Sequence, residues 1–513
     1  MPAHMRQDGR YGTMAAATQG GPRKHWDGGL NANTVRAAVF VASIFALYMS
    51  VAMLIPAAVD LYFNNPDWKA FALSAFFLSG LSSAVAMATR VPTPAINSRF
   101  GFLLVNLLWL SMIVAGAFPF LASSLELGFA DTVFETVSAI TATGATVLTG
   151  LDDMPPGLLL WRSILQWIGG LGVIALGVFL LPFLKLGGVS FFRIESSDKE
   201  DKPFARFSTY AVSIISIYAL LTLICAVAYA LAGMPLFHAV NHAMTTMATG
   251  GFSTHDASMG FYTSPAIIWT STIFMTIGGL PFAVLILFAV RGRRDVFLDP
   301  QIRVYLGLIV LFSVTNAIWI TVTDRIPFFF ALTHSTFNFV SIITTTGYSS
   351  TDYGAWGPYT VATIFVAMFL GGCSGSTTGG IKAYRFYILF QVFSNGLKRL
   401  IYPSTILPVK YGSRPVEEQT QRAVVLFIAA FFVIWGVLIV LLSATGLDFE
   451  TAVTGALSAI TNVGPGLGDV IGPTGNFSSL SDIAKYIMAA GMLLGRLEIL
   501  AVLILFTPAF WRR

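Results

Sequence analysis

Long apolar runs separated by short polar connections dominate the pattern of this chain. A helix needs about 20 apolar residues to cross a bilayer. Runs of that length predict ten spanning helices, at residues 36–63, 70–90, 100–123, 157–185, 207–234, 264–290, 302–323, 357–381, 422–446 and 483–508. Four shorter apolar segments lie between them, at 131–143, 235–249, 328–346 and 448–463. We expect these segments to be re-entrant helices that cross only half of the membrane.

Each half-length segment ends in a similar phrase of Thr and Gly residues. The phrases are 138–144 (SAITATG), 245–250 (TTMATG), 341–347 (SIITTTG) and 458–464 (SAITNVG), and they recur about every 100 residues, which is the mark of an internal repeat. Irregular backbone at membrane depth is tolerated only where it lines a cavity or is packed in protein. The pattern therefore predicts an all-α integral membrane protein, with four membrane–pore-helix–membrane repeats around one pseudo-fourfold pore.

The repeats divide the chain into six segments. We expect a disordered cytoplasmic tail at 1–34 and two extra transmembrane helices at 35–95. The four repeats would follow at 96–200, 201–296, 297–415 and 416–513.

Composition and charge agree with a membrane location. Hydrophobic residues make up 55% of the chain and charged residues 11%, whereas a soluble protein carries about 25% charged residues. Most Lys and Arg residues lie in alternate connections, at 1–36, 90–99, 185–206, 291–303 and 382–422, and the exceptions include Lys69, Arg162, Arg325 and Lys485. Since cytoplasmic loops are rich in Lys and Arg, we place both termini in the cytoplasm. This skew accounts for the net charge of +5 without a nucleic-acid partner.

The phrases supply what a cation filter needs. Backbone carbonyls can replace the water shell of an ion, and glycine accepts the conformations that turn carbonyls toward it. We predict ion ligands on the carbonyls of the two residues before each glycine: Ala142, Thr143, Ala248, Thr249, Thr345, Thr346, Asn462 and Val463. The filter glycines would be Gly144, Gly250, Gly347 and Gly464. A single such glycine would be explained equally well as the end of a helix.

Two features predict a gate. Residues 371–380 interrupt a predicted span, so their backbone must face the pore or a packed cleft. The residues concerned are Gly371, Gly372, Gly375, Ser376, Thr377, Thr378, Gly379 and Gly380. Arg496 lies inside the last predicted span, where a charge needs a partner or a water-filled cavity. A static helix break and a snorkelling arginine are the simpler alternatives.

Enzymatic chemistry has little support in this sequence. The spans offer no converging set of catalytic side chains, and His238 and His242 lack the Glu that would accompany them in a metalloprotease. We therefore expect no enzyme, no bound cofactor and no metal other than the ion at the filter. The alternative to a channel-like pore is a proton- or sodium-coupled symporter, which usually holds a carboxylate near the midplane. Glu498 is the only obvious candidate for that role.

Four further runs carry a family resemblance: 160–170 (LWRSILQWIGG), 248–256 (ATGGFSTHD), 371–382 (GGCSGSTTGGIK) and 494–499 (LGRLEI). Together with the phrases they closely resemble the Trk/Ktr/HKT superfamily of potassium transporters, over roughly residues 35–513. The resemblance implies potassium as the transported ion, in the bacterial cytoplasmic (inner) membrane, with glycine at all four filter positions favouring potassium over sodium. It also implies that 371–380 blocks the path below the filter and that Arg496 faces the pore. Finally, it implies a homodimer embedded in lipid and a cytosolic nucleotide-binding regulatory subunit of the TrkA type.

Overall fold

The computed structural model describes residues 32–91, 98–184, 203–292 and 295–512. Seven helices in this part of the chain are long and apolar enough to cross a membrane: Ala32–Tyr62, Trp68–Thr89, Arg99–Ala122, Pro156–Ala175, Ala211–Leu231, Pro300–Thr323 and Glu418–Ser443. Their large apolar side chains face outward in many places, as at Phe76, Leu231 and Val440. The prediction of an all-α membrane protein is confirmed. Of the predicted tail, residues 1–31 lie outside the described residues, and Ala32 begins the first helix.

The two helices before the first repeat pack against each other and against the helices of that repeat. The first has a small irregularity at Met53, which divides it into Ala32–Ala52 and Leu54–Tyr62, and the second is Trp68–Thr89. Asp60 is fully buried, and its carboxylate accepts a hydrogen bond of 2.6 Å from the backbone N–H of Gly157. Because Gly157 lies in the first turn of the helix Pro156–Leu184, the carboxylate also complements the positive end of that helix dipole.

Each of the four repeats has a leading helix, a pore helix and a trailing helix. The leading helices are Ser98–Ala122, Pro203–Leu231, Pro300–Thr323 and Glu418–Ser443. The pore helices are Phe129–Ile140, Leu236–Met247, Phe328–Ile343 and Phe449–Thr461. The trailing helices are Pro156–Leu184, Pro265–Gly278, Pro358–Met368 and Asp482–Arg496. With 12, 12, 16 and 13 residues, the pore helices have the half-crossing length that was expected.

Three of the trailing segments are broken, and the sequence predicts such an interruption only in the third repeat, at residues 371–380. The span predicted at 264–290 bends by 97° between Gly278 and Phe282, and the span predicted at 483–508 bends by 102° after Arg496. Two glycines and Pro281 explain the first break, since proline cannot donate the helical hydrogen bond. In the third repeat the helix ends at Met368, well before the predicted residue 381, and Ala383–Ile401 follows the interruption. The spans predicted at 264–290 and 483–508 are therefore not continuous helices, whereas the interruption predicted at 371–380 is present and begins after Met368.

The remaining elements are short. Phe282–Arg291 follows the first break, and strands Lys410–Tyr411 and Arg414–Pro415 form an antiparallel hairpin after Ala383–Ile401. The other short helices are Leu151–Asp153, Ser258–Phe261, Asp295–Leu298, Tyr353–Trp356, Gly468–Ile471, Leu500–Leu503, Ile504–Phe506 and Pro508–Trp511.

Candidate functional site

The backbone takes the same turn after every pore helix. In each repeat, an N–H donates to the carbonyl of the residue five positions earlier. The pairs are Thr143 to Ser138 (2.9 Å), Gly250 to Thr245 (2.9 Å), Thr346 to Ser341 (2.8 Å) and Val463 to Ser458 (3.2 Å). We call these four segments the Thr/Gly loops: residues 141–145, 248–252, 344–348 and 461–465. Their common hydrogen bond shows that the four phrases have one geometry.

This geometry corrects the alignment of the second phrase by one residue. Each loop has one non-glycine residue in the left-handed region, followed two positions later by a left-handed glycine. The residue pairs are Ala142 and Gly144, Thr249 and Gly251, Thr345 and Gly347, and Asn462 and Gly464. The prediction of Gly250 as the equivalent glycine is therefore wrong, because Gly251 has that role. Because Gly250 and Gly251 are adjacent, the sequence alone does not indicate which of them is equivalent to the glycines of the other loops.

The shift by one residue also changes which backbone carbonyl of the second loop is equivalent to those of the other three loops. Gly250 takes the place of Thr143, Thr346 and Val463 in the other loops. Ala248, predicted as an ion ligand, lies one position too early. It caps the second pore helix in right-handed conformation, and its carbonyl accepts a hydrogen bond from the Thr249 hydroxyl.

The four loops meet in a closed ring. A Cβ built on Gly144 would overlap the carbonyl oxygen of Gly250, and one on Gly251 would overlap that of Thr346. A Cβ on Gly347 would overlap the carbonyl oxygen of Val463, and one on Gly464 would lie 2.7 Å from that of Thr143. We call the oxygens of Thr143, Gly250, Thr346 and Val463 the carbonyl ring. Each glycine thus faces the next repeat in the order one, two, three, four and back to one, so a side chain at any of them would disturb the ring.

Hydrogen bonds between polar side chains connect neighbouring repeats. Asn462 donates to the Thr143 hydroxyl at 2.9 Å and to the Met492 carbonyl at 2.9 Å. The hydroxyls of Tyr348 and Thr245 lie 2.5 Å apart. All of these loop side chains are buried, so their hydrogen bonds fix the relative positions of the repeats.

The Gly-rich loop, residues 371–380, packs against the ends of three pore helices. The N–H of Gly379 donates to the Thr345 hydroxyl at 2.7 Å, and the N–H of Gly380 donates to the Thr461 carbonyl at 2.9 Å. The hydroxyls of Thr377 and Thr249 lie 3.1 Å apart. Ser376, Thr377 and Thr378 are fully buried, and Gly371, Gly375 and Gly380 have positive φ angles. The loop therefore lies directly beside the Thr/Gly loops of repeats two, three and four.

Arg496 contacts the Gly-rich loop. It is 3% exposed, and its Nη1 donates to the Thr377 carbonyl at 3.0 Å. Its Nε and Nη2 have no hydrogen-bond partner in the described part of the chain. Arg496 is the last residue of its helix, beside the 102° bend, and so does not lie within a continuous span. Glu498 lies beyond the bend and pairs with Arg385 at 2.5 Å.

A buried ion pair behind the first loop was missed by the sequence reasoning. Arg162, one of the exceptions to the pattern of basic connections, lies inside a trailing helix and pairs with Glu135 of the first pore helix at 2.8 Å. Glu135 also accepts from the N–H of Val147 at 3.0 Å, and Arg162 donates to the Ser253 carbonyl at 3.0 Å. The pair therefore links the segments that follow the first and second loops. The sequence did contain a signal for this ion pair, since Glu135 and Arg162 are charges of opposite sign in neighbouring apolar segments.

Exposed acids follow the first and second loops, at Asp152 and Asp256. Asp152 is hydrogen-bonded to the ring of His255, and this bond is the main cause that lowers the pKa of the carboxyl below its usual value. Asp256 accepts from the backbone N–H of Gly150 at 2.9 Å. The carboxylate of Asp152 therefore stays charged at neutral pH and favours cations near this face.

Comparison with known proteins identifies close relatives along almost the whole chain. A family model described as "TrkH: Cation transport protein" matches residues 68–513. The chain is 42% identical over 475 residues to the Trk system potassium uptake protein TrkI of Halomonas elongata, which covers 92% of this chain and 96% of that protein. It is 36% identical over 484 residues to TrkH of Salmonella typhimurium, with 93% and 99% covered. The crystal structure of the potassium transporter TrkH from Vibrio parahaemolyticus matches with a TM-score of 0.87 at 34% identity, over 93% of this chain and 99% of that one.

The buried ion pair yields a stability prediction. Glu135→Gln leaves the Arg162 charge uncompensated, and Arg162→Met does the same to Glu135, so each should lower the free energy of unfolding by about 3–5 kcal/mol. The double variant should lose less than the sum, because the two residues stabilise each other. The measurement is unfolding of purified protein in detergent. Glu418→Gln is the control, since it removes an ion pair whose side chains are 76–78% exposed. Additive losses would show that the pair is not coupled.

Proposed function

Because the chain belongs to the TrkH family of cation transport proteins, we propose that it takes up potassium across the bacterial cytoplasmic membrane through a channel-like filter. Proteins of this family are transporters and not enzymes. The observation that carries the proposal is the closed carbonyl ring, to which all four repeats contribute one backbone oxygen each. We assign the repeats as 96–200, 201–296, 297–415 and 416–513.

The filter works by replacing water with backbone oxygens. A potassium ion entering the ring exchanges its hydration shell for the carbonyls of Thr143, Gly250, Thr346 and Val463. A second set of ligands consists of the residues one position earlier: Ala142, Thr249, Thr345 and Asn462. The pore helices end at these loops, and each directs about half an elementary negative charge toward them. Glycine at 144, 251, 347 and 464 keeps the ring free of side chains.

A coupled symporter is the weaker alternative. It would need a carboxylate free to exchange protons or coordinate sodium within the membrane. Glu498, the residue predicted for that role, is paired with Arg385, and the buried Glu135 is paired with Arg162. These ion pairs favour flux that the membrane potential drives directly, at about 2.3 kcal/mol per charge per 100 mV.

The Gly-rich loop and Arg496 form the gate in this proposal. The loop bonds to three pore-helix ends and therefore obstructs the path on one side of the ring. Arg496 holds the loop through the Thr377 carbonyl and adds a positive charge that opposes a passing cation. Opening requires the loop to leave these partners, which its glycines make conformationally accessible.

A cytosolic nucleotide-binding subunit of the TrkA type controls the gate in this proposal. The relatives are named as parts of a Trk system. A chain of hydrogen bonds offers a route from the surface to the loop: Tyr411 of the exposed hairpin bonds to Asp299, which accepts from the N–H of Gln301 at 3.0 Å, and Gln301 accepts from the N–H of Ser374 at 3.0 Å. We further propose a homodimer in lipid, with both termini cytoplasmic because Lys and Arg concentrate on that side.

The filter proposal predicts altered selectivity in a glycine variant. Gly144→Ser places a Cβ against the Gly250 carbonyl at a left-handed position, so the ratio of potassium to sodium permeability should fall. The ratio is measured from reversal potentials of purified protein in liposomes. Gly436→Ser is the matched control, because a Cβ there meets no atom within 4 Å. An unchanged ratio in folded Gly144→Ser would remove the first loop from the filter.

The gate proposal predicts raised basal flux. Deleting residues 375–379 should raise rubidium flux strongly without any partner, because the obstruction itself is removed. Arg496→Ala should raise it less, because only the electrostatic barrier and one hydrogen bond disappear. Elements that share one equilibrium are non-additive, so the two changes together should give less than the product of the separate gains.

Two outcomes would contradict the gate. A correctly folded deletion that conducts no better than the wild type would show that the loop does not obstruct the path. An Arg496→Ala gain that persists in full in the deleted background would show that the arginine acts elsewhere.

A further inference from the structure

Gln166 holds the second Thr/Gly loop at two points. It lies on the trailing helix of the first repeat and is fully buried. Its Nε2 donates to the Gly250 carbonyl at 2.7 Å, and its Oε1 accepts from the backbone N–H of Phe252 at 3.1 Å. The two bonds lie on either side of Gly251, so one amide from repeat one fixes the part of repeat two that contributes to the carbonyl ring.

This contact explains why the second loop has two adjacent glycines. Gly251 is required by its φ angle of +76° and by the Thr346 carbonyl beside it. Gly250 is not among the positive-φ glycines, so its backbone would admit other residues. A Cβ on Gly250, however, would lie 2.5 Å from Cδ and Oε1 of Gln166. Position 250 is therefore glycine because Gln166 occupies the space where a side chain would stand.

The other loops are held in different ways. The equivalents of Gly250 are Thr143, Thr346 and Val463, all of which carry side chains. In repeats three and four, the hydroxyls of Ser341 and Ser458 donate to the carbonyls of Tyr348 (2.7 Å) and Gly464 (2.6 Å), which lie one or two positions after the ring oxygen. The amide of Gln166 instead bonds to the ring oxygen itself.

We infer that Gln166 is a specificity-determining positioning residue, which sets the preference for potassium over sodium by fixing the Gly250 carbonyl in the ring. The inference rests on the proposed filter. A carbonyl oxygen has two lone pairs, so it can accept from the amide and still face an ion. Selectivity depends on the positions and field strength of the carbonyl dipoles. Without its partner, the Gly250 carbonyl rotates more freely and adapts to the smaller sodium ion.

The test is Gln166→Leu in the full-length protein, reconstituted in liposomes. Leucine has a similar volume but neither donates nor accepts a hydrogen bond. We expect the ratio of potassium to sodium permeability, measured from reversal potentials, to fall about five- to tenfold, which corresponds to the loss of one buried hydrogen bond. Gln421→Leu is the control, since Gln421 also donates to a backbone carbonyl (Val416, 2.8 Å), but that carbonyl belongs to none of the Thr/Gly loops. The permeability ratio is measured on folded protein and does not depend on how much of the protein folds. If Gln166 only stabilised the fold, Gln166→Leu would therefore leave the ratio unchanged.

A second pair of variants tests the steric argument and covers a failure of Gln166→Leu to fold. Gly250→Ala should displace the Gln166 amide, because the new methyl group overlaps it, and should therefore lower the ratio of potassium to sodium permeability. Gly250→Ala combined with Gln166→Ala should remove the overlap, because the smaller side chain makes room, yet the ratio should stay low because the amide is absent. Gly250→Ala that folds normally and keeps the wild-type ratio beside an intact Gln166 would overturn the inference.

The results separate this inference from the filter proposal. If Gln166→Leu keeps the wild-type ratio while Gly144→Ser lowers it, the filter stands and the role of Gln166 is wrong. If folded forms of both variants keep the ratio, the filter assignment itself fails.

Discussion

The rest of this structure depends on one constraint: backbone N–H and C=O groups that are buried in the membrane need hydrogen-bond partners. Inside a membrane each unsatisfied N–H or C=O group costs several kcal/mol. The described residues nevertheless include four irregular loops after the pore helices and three breaks in the trailing segments. These irregular segments lie together in the centre of the protein and bond to each other. The N–H of Cys373 donates to the Gly279 carbonyl at 2.9 Å, and Arg496 donates to the Thr377 carbonyl.

The same constraint explains the proposed division of labour. A carbonyl oxygen of the ring that lacks a hydrogen-bond donor can coordinate an ion instead. In the proposed filter, incomplete hydrogen bonding of the backbone is therefore an advantage. Groups of the Gly-rich loop that would be unsatisfied instead bond to the ends of the pore helices. A loop held by a few hydrogen bonds at glycine-rich positions can exchange them for others, whereas a continuous helix cannot. The least regular backbone of the described residues therefore lies at the positions of the proposed filter and gate.

The sequence predicted the repeated architecture well because the signals were long and recurred four times. It placed the half-length helices and the glycines Gly144, Gly347 and Gly464 correctly in the left-handed positions. It missed the register at Gly250 and Gly251, because the two adjacent glycines are alike in sequence and only the folded backbone, with its positive φ at Gly251, distinguishes them. It also missed the bends after Gly278 and Arg496, since apolar composition continues through them, and the pairing of Glu135 with Arg162, which depends on contacts 27 residues apart in the chain.

The most direct test of the account is to locate the ion. Crystals of the protein grown in rubidium, measured at the rubidium absorption edge, should show anomalous density on the axis of the carbonyl ring, within coordination distance of the oxygens of Thr143, Gly250, Thr346 and Val463. The same crystals grown in sodium should show no such peak. The assignment of the four loops as the filter would be contradicted if crystals in saturating rubidium showed no anomalous density at the ring. Density only at another place along the path would contradict it equally.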